Sequence, residues 1–195
     1  MKIDSKKIKQ LRDRTGVSIM KCKDALKKAQ GDMEKAVLEL RKTGESSAAK
    51  KSQRQTQEGA IASYIHNNNK VGSMVALYCE TDFVAKNQEF INLARDIAMQ
   101  VAASDPRFLE PDKIPQKVID QEKEIQKETL KKDQKPEEIK EKIVQGKLEK
   151  FKKENSLLTQ QFIKDPNITI EELINQHIAK LGENIKIGEF SRFAI

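Results

Sequence analysis

The sequence predicts an α+β protein in three parts: a three-helix N-terminal module (residues 1–42), a linker (43–58), and an α+β core (59–195). The core carries a small antiparallel sheet and a projecting helical hairpin at about 113–154. Three observations lead there. Apolar residues recur at helical spacing up to Leu40 and switch to strand-like runs after Gly59. The excess positive charge ends at the same boundary, with 16 Lys+Arg against 8 Asp+Glu in residues 1–58 and 21 against 22 beyond. Finally, residues 113–154 carry two narrow apolar stripes on either side of Pro136.

In the first helix Ile8 and Leu11 form an apolar edge, and Thr15-Gly16 breaks it. Ser18 is placed to cap a second helix bearing Ile19, Met20, Ala25, Leu26 and Ala29. Gly31-Asp32 is a stop followed by a new cap, after which Met33, Ala36, Val37 and Leu40 mark a third helix. Three such edges close a core of about 40 residues, near the lower limit for independent folding. Residues 43–58 hold few apolar side chains beyond Ala and read as the linker, with partial helicity left open.

Two β-rich runs, Ala60–His66 and Val71–Tyr78, flank Asn67-Asn68-Asn69-Lys70; Asn tolerates positive φ, so this is a hairpin. A helix from roughly Phe83 to Ala103 follows, with Phe90, Leu93, Ala94, Ile97 and Val101 on one face and Asp105-Pro106 as its stop. Ile114, Val118, Ile125 and Leu130, then Ile139, Ile143, Val144, Leu148 and Phe151, supply the thin seam of the helical hairpin, which turns at Lys131–Pro136. Residues 156–163 read as extended or irregular. A short helix, Ile170–Leu181, stops at Gly182, and the alternation from Ile185 to Phe193 is a closing strand.

Composition narrows the function. The chain has 195 residues, 37% hydrophobic and 34% charged, whereas soluble domains average roughly 45–50% apolar and about 25% charged. No apolar stretch approaches the roughly 18 residues of a membrane span, and the start lacks the apolar run of a secretory signal. Two cysteines without C-x-x-C spacing, Cys22 and Cys79, fit a reducing cytoplasm. The net charge of +7 resides in the N-terminal part. It points to an anionic partner, nucleic acid or an acidic protein face, or else to a solvated lysine-rich surface. The first 58 residues contain no aromatic, so bases have nothing to stack on there.

No constellation for catalysis is present. There is no Gly-rich phosphate loop. His66 and His177 lack ligand neighbours in sequence, so neither a metal nor a cofactor is expected, and both read as surface or edge residues. Cys79 lies beside Glu80 and Asp82, whose charge raises a thiol pKa. Binding without bond-making is the expected class.

Cys79-Glu80-Thr81-Asp82-Phe83-Val84-Ala85-Lys86-Asn87 joins a strand to a helix. Thr81 or Asp82 caps the first turn. Phe83 falls in that turn, either inward as a staple or outward as an anchor, and the pattern alone favours inward.

This segment resembles the signature of the elongation factor Ts family. Leu11–Met20, continuing to Lys23-Asp24-Ala25-Leu26, resembles that family's N-terminal module, a three-helix fold of the ubiquitin-associated type. Weaker matches are Glu58-Gly59, Gln161–Asp165, Gly182–Ile185 and Phe190–Phe193. The landmarks occur in family order over essentially the whole chain. Ala76 and Tyr78 stand where the family carries Glu and Asn, and Gln161 where Pro is usual.

The resemblance implies a guanine-nucleotide exchange factor for elongation factor Tu (EF-Tu), binding it GDP-bound and nucleotide-free in the cytoplasm. It implies that Thr81, Asp82, Phe83 and Val84 meet the nucleotide domain and disturb its magnesium site, and that Arg12, Thr15, Gly16 and Met20 grip the same domain. TDFV occurs once and the second core half of long members is missing, which implies a homodimer. No cofactor and no direct nucleic-acid contact are required. The alternative function is an RNA-associated basic binding module; a ubiquitin-type adaptor ranks last.

Overall fold

The computed structural model describes residues 4–131 and 136–195. Three helices come first: α1 (Ser5–Thr15), α2 (Ile19–Lys28) and α3 (Met33–Lys51). Local chemistry sets most of their ends. The Asp4 carboxylate accepts from the Lys6 amide, and the Asp32 carboxylate accepts from the Lys35 amide. Gly16, at φ 65°, closes α1. Ser18 makes no side-chain cap, contrary to expectation; α2 starts without one. Leu11, Val17, Cys22, Ala25, Leu26, Ala29, Ala36 and Leu40 form the module's buried core.

Helix α3 runs on through Lys51, into the segment read as linker. The reason is tertiary. Gly44 and Ala48 are buried along this extension, and Gly44 lies against Ala179 and the Asn175 carbonyl. Small residues let α3 approach the later helix α8 (Ile170–Leu181) closely, and Ala48 belongs to the main core. A stripe of Gly and Ala in a polar sequence carries no visible apolar period.

Strands β1 (Glu58–Ile65) and β2 (Val71–Cys79) form the expected hairpin, with Asn69 at φ 57°. Strand β5 (Lys186–Ala194) pairs antiparallel with β2, giving the order β1-β2-β5. One face of this sheet, with Val75 and Leu77, packs on Phe90, Leu93, Ile97 and Val101. The expected single helix from Phe83 is two: α4 (Asp82–Ala85) and α5 (Gln88–Ser104). Asn87 interrupts it, its side chain accepting from the Glu89 amide as a new cap.

The helical pair is α6 (Gln116–Thr129) and α7 (Glu137–Asn155). Its expected turn includes residues 132–135, which lie outside the described residues. Of the expected seam, Ile114, Val144 and Leu148 are buried, Val118, Leu130, Ile143 and Phe151 are half-buried, and Ile125 and Ile139 are exposed. Among the described residues no third element covers Ile125 and Ile139, so the pair has nothing else to bury them against. Strands β3 (Gln161–Phe162) and β4 (Asp165–Thr169) form a small second sheet, of which the sequence analysis placed only an extended segment. A reciprocal capping box between Thr169 and Glu172 starts α8. No helix among the described residues is long and apolar enough to cross a membrane.

Candidate partner-binding site

Strand β2 ends at Cys79, whose thiol donates to the Thr81 carbonyl at 3.2 Å. Thr81 has extended backbone angles (φ −128°, ψ 157°), and its hydroxyl accepts from the Val84 amide at 3.5 Å. Thr81, not Asp82, is therefore the cap. One helical turn, Asp82–Ala85, follows. Val84 points into the core and is buried, whereas Phe83 points outward and is 84% exposed. The pattern-based preference for an inward Phe83 is thus overturned. The inward space beneath the turn is filled by Val84, and Phe90 already occupies the core below.

Asp82 is half-buried and receives the Lys86 ammonium on Oδ2 at 2.7 Å. That hydrogen bond and charge hold the Asp82 carboxyl below the usual carboxylate range and push Lys86 up. The turn thus presents an exposed aromatic ring beside an ionised acid.

A second segment, remote in sequence, meets this turn. Glu183 Oε2 accepts from the Glu80 amide at 3.1 Å and the Thr81 amide at 3.0 Å, and Oε1 accepts from the Thr81 hydroxyl at 2.6 Å. The Asn184 amide donates to Glu80 Oε1 at 2.6 Å. Asn184 Nδ2 also donates to the Arg54 carbonyl at 2.9 Å. Glu183 lies within the Gly182–Ile185 landmark, where the sequence alone assigns it no role. No local pattern reveals a contact spanning 102 residues. Burial, with the charge of Glu183 next, pushes the Cys79 thiol up to about 11.

Among the N-terminal positions, Arg12 and Met20 are exposed. Thr15 donates its hydroxyl to the Leu11 carbonyl at 2.7 Å. The Lys180 side chain lies over Gly16, where a Cβ would fall 2.5 Å from Lys180 Cε. Thr15 and Gly16 thus finish α1 and pack towards the core, while Arg12 and Met20 face outward. The two sets of candidate residues sit on separate modules, joined through α3 and α8.

The outer face of the three-stranded sheet is also apolar. Ile61 and Phe193 are each 71% exposed, with Ile65, Met74 and Tyr78 also uncovered. Gly188 makes room for the Tyr78 ring, since a Cβ there would lie 2.3 Å from Tyr78 Cε2. His66 lies at the sheet edge, bonded to the Tyr64 hydroxyl at 3.1 Å. His177 is half-buried on α8 rather than at the surface, its Nδ1 donating to the Leu173 carbonyl at 2.8 Å. Among the described residues no cluster of three or more His, Cys, Asp or Glu is placed to hold a metal.

Fold and site together define an α+β protein, three N-terminal helices packed on a mixed core, with a braced turn that carries an uncovered aromatic at its tip. Known proteins specify the class further. The model of the family "Elongation factor TS" matches residues 5–195. An elongation factor Ts of Thermosipho melanesiensis is 52% identical over 193 residues, covering 99% of this chain and 98% of that protein. One from Fervidobacterium nodosum is 49% identical, covering 100% and 99%. A Synechococcus sp. relative is 52% identical over this whole chain, which spans 76% of it. The chain belongs to the elongation factor Ts family.

Proposed function

We propose that this chain is the guanine-nucleotide exchange factor for EF-Tu, working in the cytoplasm during translation elongation. It binds EF-Tu·GDP, presses Phe83 against the helices beside the magnesium and phosphate site, and remains on the nucleotide-free partner until nucleotide returns. Asp82 sits beside that wedge, while Thr81 and Val84 hold its base. Arg12 and Met20 grip the same nucleotide domain, with Thr15 and Gly16 setting the end of the helix that carries Arg12. No covalent bond is made or broken, and the chain needs no cofactor of its own. The observation that carries this reading is the 84% exposure of Phe83 on a turn whose neighbouring residues are fixed.

Magnitudes require a broad interface. A nucleotide held at nanomolar affinity is worth about 12 kcal/mol. Burying one Phe contributes about 1.5–3 kcal/mol. Phe83 supplies the local push, and the N-terminal module and the rest of the core supply most of the binding. Coupling is reciprocal: the exchanger weakens GDP, and GDP weakens the exchanger by the same factor.

The alternative, an RNA-binding module, is less well supported. At least six of the 16 N-terminal cations have partners within the chain, several of them at the surface: Arg14 with Glu34, Lys28 with Glu39, Arg41 with Glu172, and Lys7, Lys21 and Lys51 with backbone carbonyls. The occupant proposed for the outer sheet face is a second copy of the chain. Face-to-face packing of two such sheets buries Ile61, Ile65, Met74 and Phe193. The chain spans 98% of the Thermosipho protein and 76% of the longer Synechococcus one, which supports reading it as a short form that completes itself by pairing.

The deciding experiment is release of labelled GDP from EF-Tu with catalytic amounts of the chain. Accelerated release is expected; release at the spontaneous rate rejects the proposal.

A further inference from the structure

We infer that Glu183 is a positioning residue for exchange, which aims Phe83 by clamping the turn before it; this rests on the exchange reading above. The turn has little to hold itself. Helix α4 is four residues long, and so short a helix is not stable by its own hydrogen bonds. The exposed Phe83 ring adds almost no packing to fix its direction. The approach to Phe83 is held by the Cys79 thiol on the Thr81 carbonyl, the Asn184 amide on the Glu80 carboxylate and, through the largest set of bonds, one carboxylate. Glu183 takes the Glu80 amide, the Thr81 amide and the Thr81 hydroxyl, the last at 2.6 Å, a charge-assisted geometry. The clamped Thr81 hydroxyl is the same group that caps α4 through the Val84 amide.

The clamp is itself anchored. Gly182 ends α8 at φ 85°, a left-handed conformation costly for any residue with a side chain, and this sends the chain back towards β2. Lys51, the last residue of α3, donates to the Gly182 carbonyl at 2.7 Å. Asn184, buried next door, binds the Glu80 carboxylate through its amide and the Arg54 carbonyl through its side chain. The end of α3, the end of α8 and the end of β2 therefore meet at residues 182–184. A wedge that works by displacing groups in a partner must keep its direction under load. Each degree of freedom frozen beforehand is one that docking does not have to freeze.

The test compares the full chain with Glu183→Ala and Glu183→Gln. It measures maximal GDP release from EF-Tu at saturating chain, the half-saturating concentration, the melting temperature, and amide hydrogen exchange at Glu80 and Thr81. Glu183→Ala is expected to unprotect both amides and to lower the maximal rate about tenfold, equivalent to about 1.4 kcal/mol. The half-saturating concentration should move less than about threefold, because the rest of the interface is intact. Glu183→Gln is expected to restore the rate to within about threefold of wild type, since its amide oxygen accepts both backbone N–H groups and its NH₂ donates to Thr81. If Glu183→Ala unfolds, Glu183→Asp carries the test, its shorter arm losing part of the clamp and part of the rate. A maximal rate unchanged in a variant whose amides have become unprotected overturns the inference. So does a Gln variant as slow as Ala with its amides still protected, because charge rather than position is then what matters. A wild-type chain that releases no GDP is a different failure, that of the exchange reading itself.

Discussion

Phe83 and Val84 are neighbours in one helical turn and face opposite ways: Val84 is 9% exposed and seated in the core, Phe83 is 84% exposed. Removing the Phe83 ring therefore takes nothing from the folded chain. Surface substitutions of this kind fall within about 0.5 kcal/mol, and for a chain of this length that moves Tm by about 1–2 °C. Phe83→Ala should thus melt with wild-type protein while slowing maximal GDP release by about 10-fold or more, from the 1.5–3 kcal/mol a buried ring supplies. Calorimetry and stopped-flow release check the two halves. A large fall in Tm with normal release would place the ring in the fold rather than in the interface.

Thr81 and Asp82 separate capping from contact. Thr81→Ala removes the cap on α4 and one bond to Glu183, and should lower stability by about 1 kcal/mol. Thr81→Ser should recover most of it. Asp82→Asn leaves the cap in place and removes an exposed pair with Lys86, so its melting should not change. If the carboxylate meets EF-Tu, GDP release should slow several-fold in Asp82→Asn.

His177 gives stability a pH dependence with a defined sign. Burial, with Lys180 nearby, holds its pKa below the ordinary 6.5, against the opposing Leu173 hydrogen bond and the charges of Glu89 and Asp96. As pH falls through 6.5 the unfolded chain takes the proton first, so the contribution is complete above that value and is lost towards the lower folded pKa. Melting temperature should decline as pH falls below 6.5, within the range where histidine titrates. His177→Gln should flatten that part of the profile. A wild-type profile that rises on acidification over this range would contradict the assignment.

The outer sheet face makes a prediction about assembly. Replacing Ile61 and Phe193 together by Lys should leave the monomer folded, because both are 71% exposed. Losing two buried apolar anchors costs about 3 kcal/mol or more, weakening association by about a hundredfold. Sedimentation velocity over a range of concentrations should show a dimer for wild type and a monomer for the double variant. A wild-type chain that stays monomeric at high concentration would remove the second copy from the proposal.

Much of the architecture was legible because its signals are local. Gly16, Asp32 and Asn69 mark ends and turns through their own backbone preferences and side chains, and the helix at Ile170–Leu181 was read with its limits as observed. The direction of the Cys79 pKa was legible from its acidic neighbours, but its main causes, burial and the charge of Glu183, were not. Other features had no local sign. Helix α3 extends to Lys51 because Gly44 and Ala48 find α8, and a small-residue stripe looks like a polar linker until its partner is known. The outer part of the hairpin seam, at Ile125 and Ile139, is exposed because no third element among the described residues covers it.

The sequence by itself determined the order of most elements, the charged N-terminal module and the β-hairpin, since each follows from propensity, periodicity or capping within a few residues. Only the tertiary structure decided which way Phe83 points. That direction depends on Val84 taking the core position beneath the turn and on Glu183, from the far end of the chain, holding the backbone before it. An aromatic in a first helical turn is stable either way until long-range contacts choose.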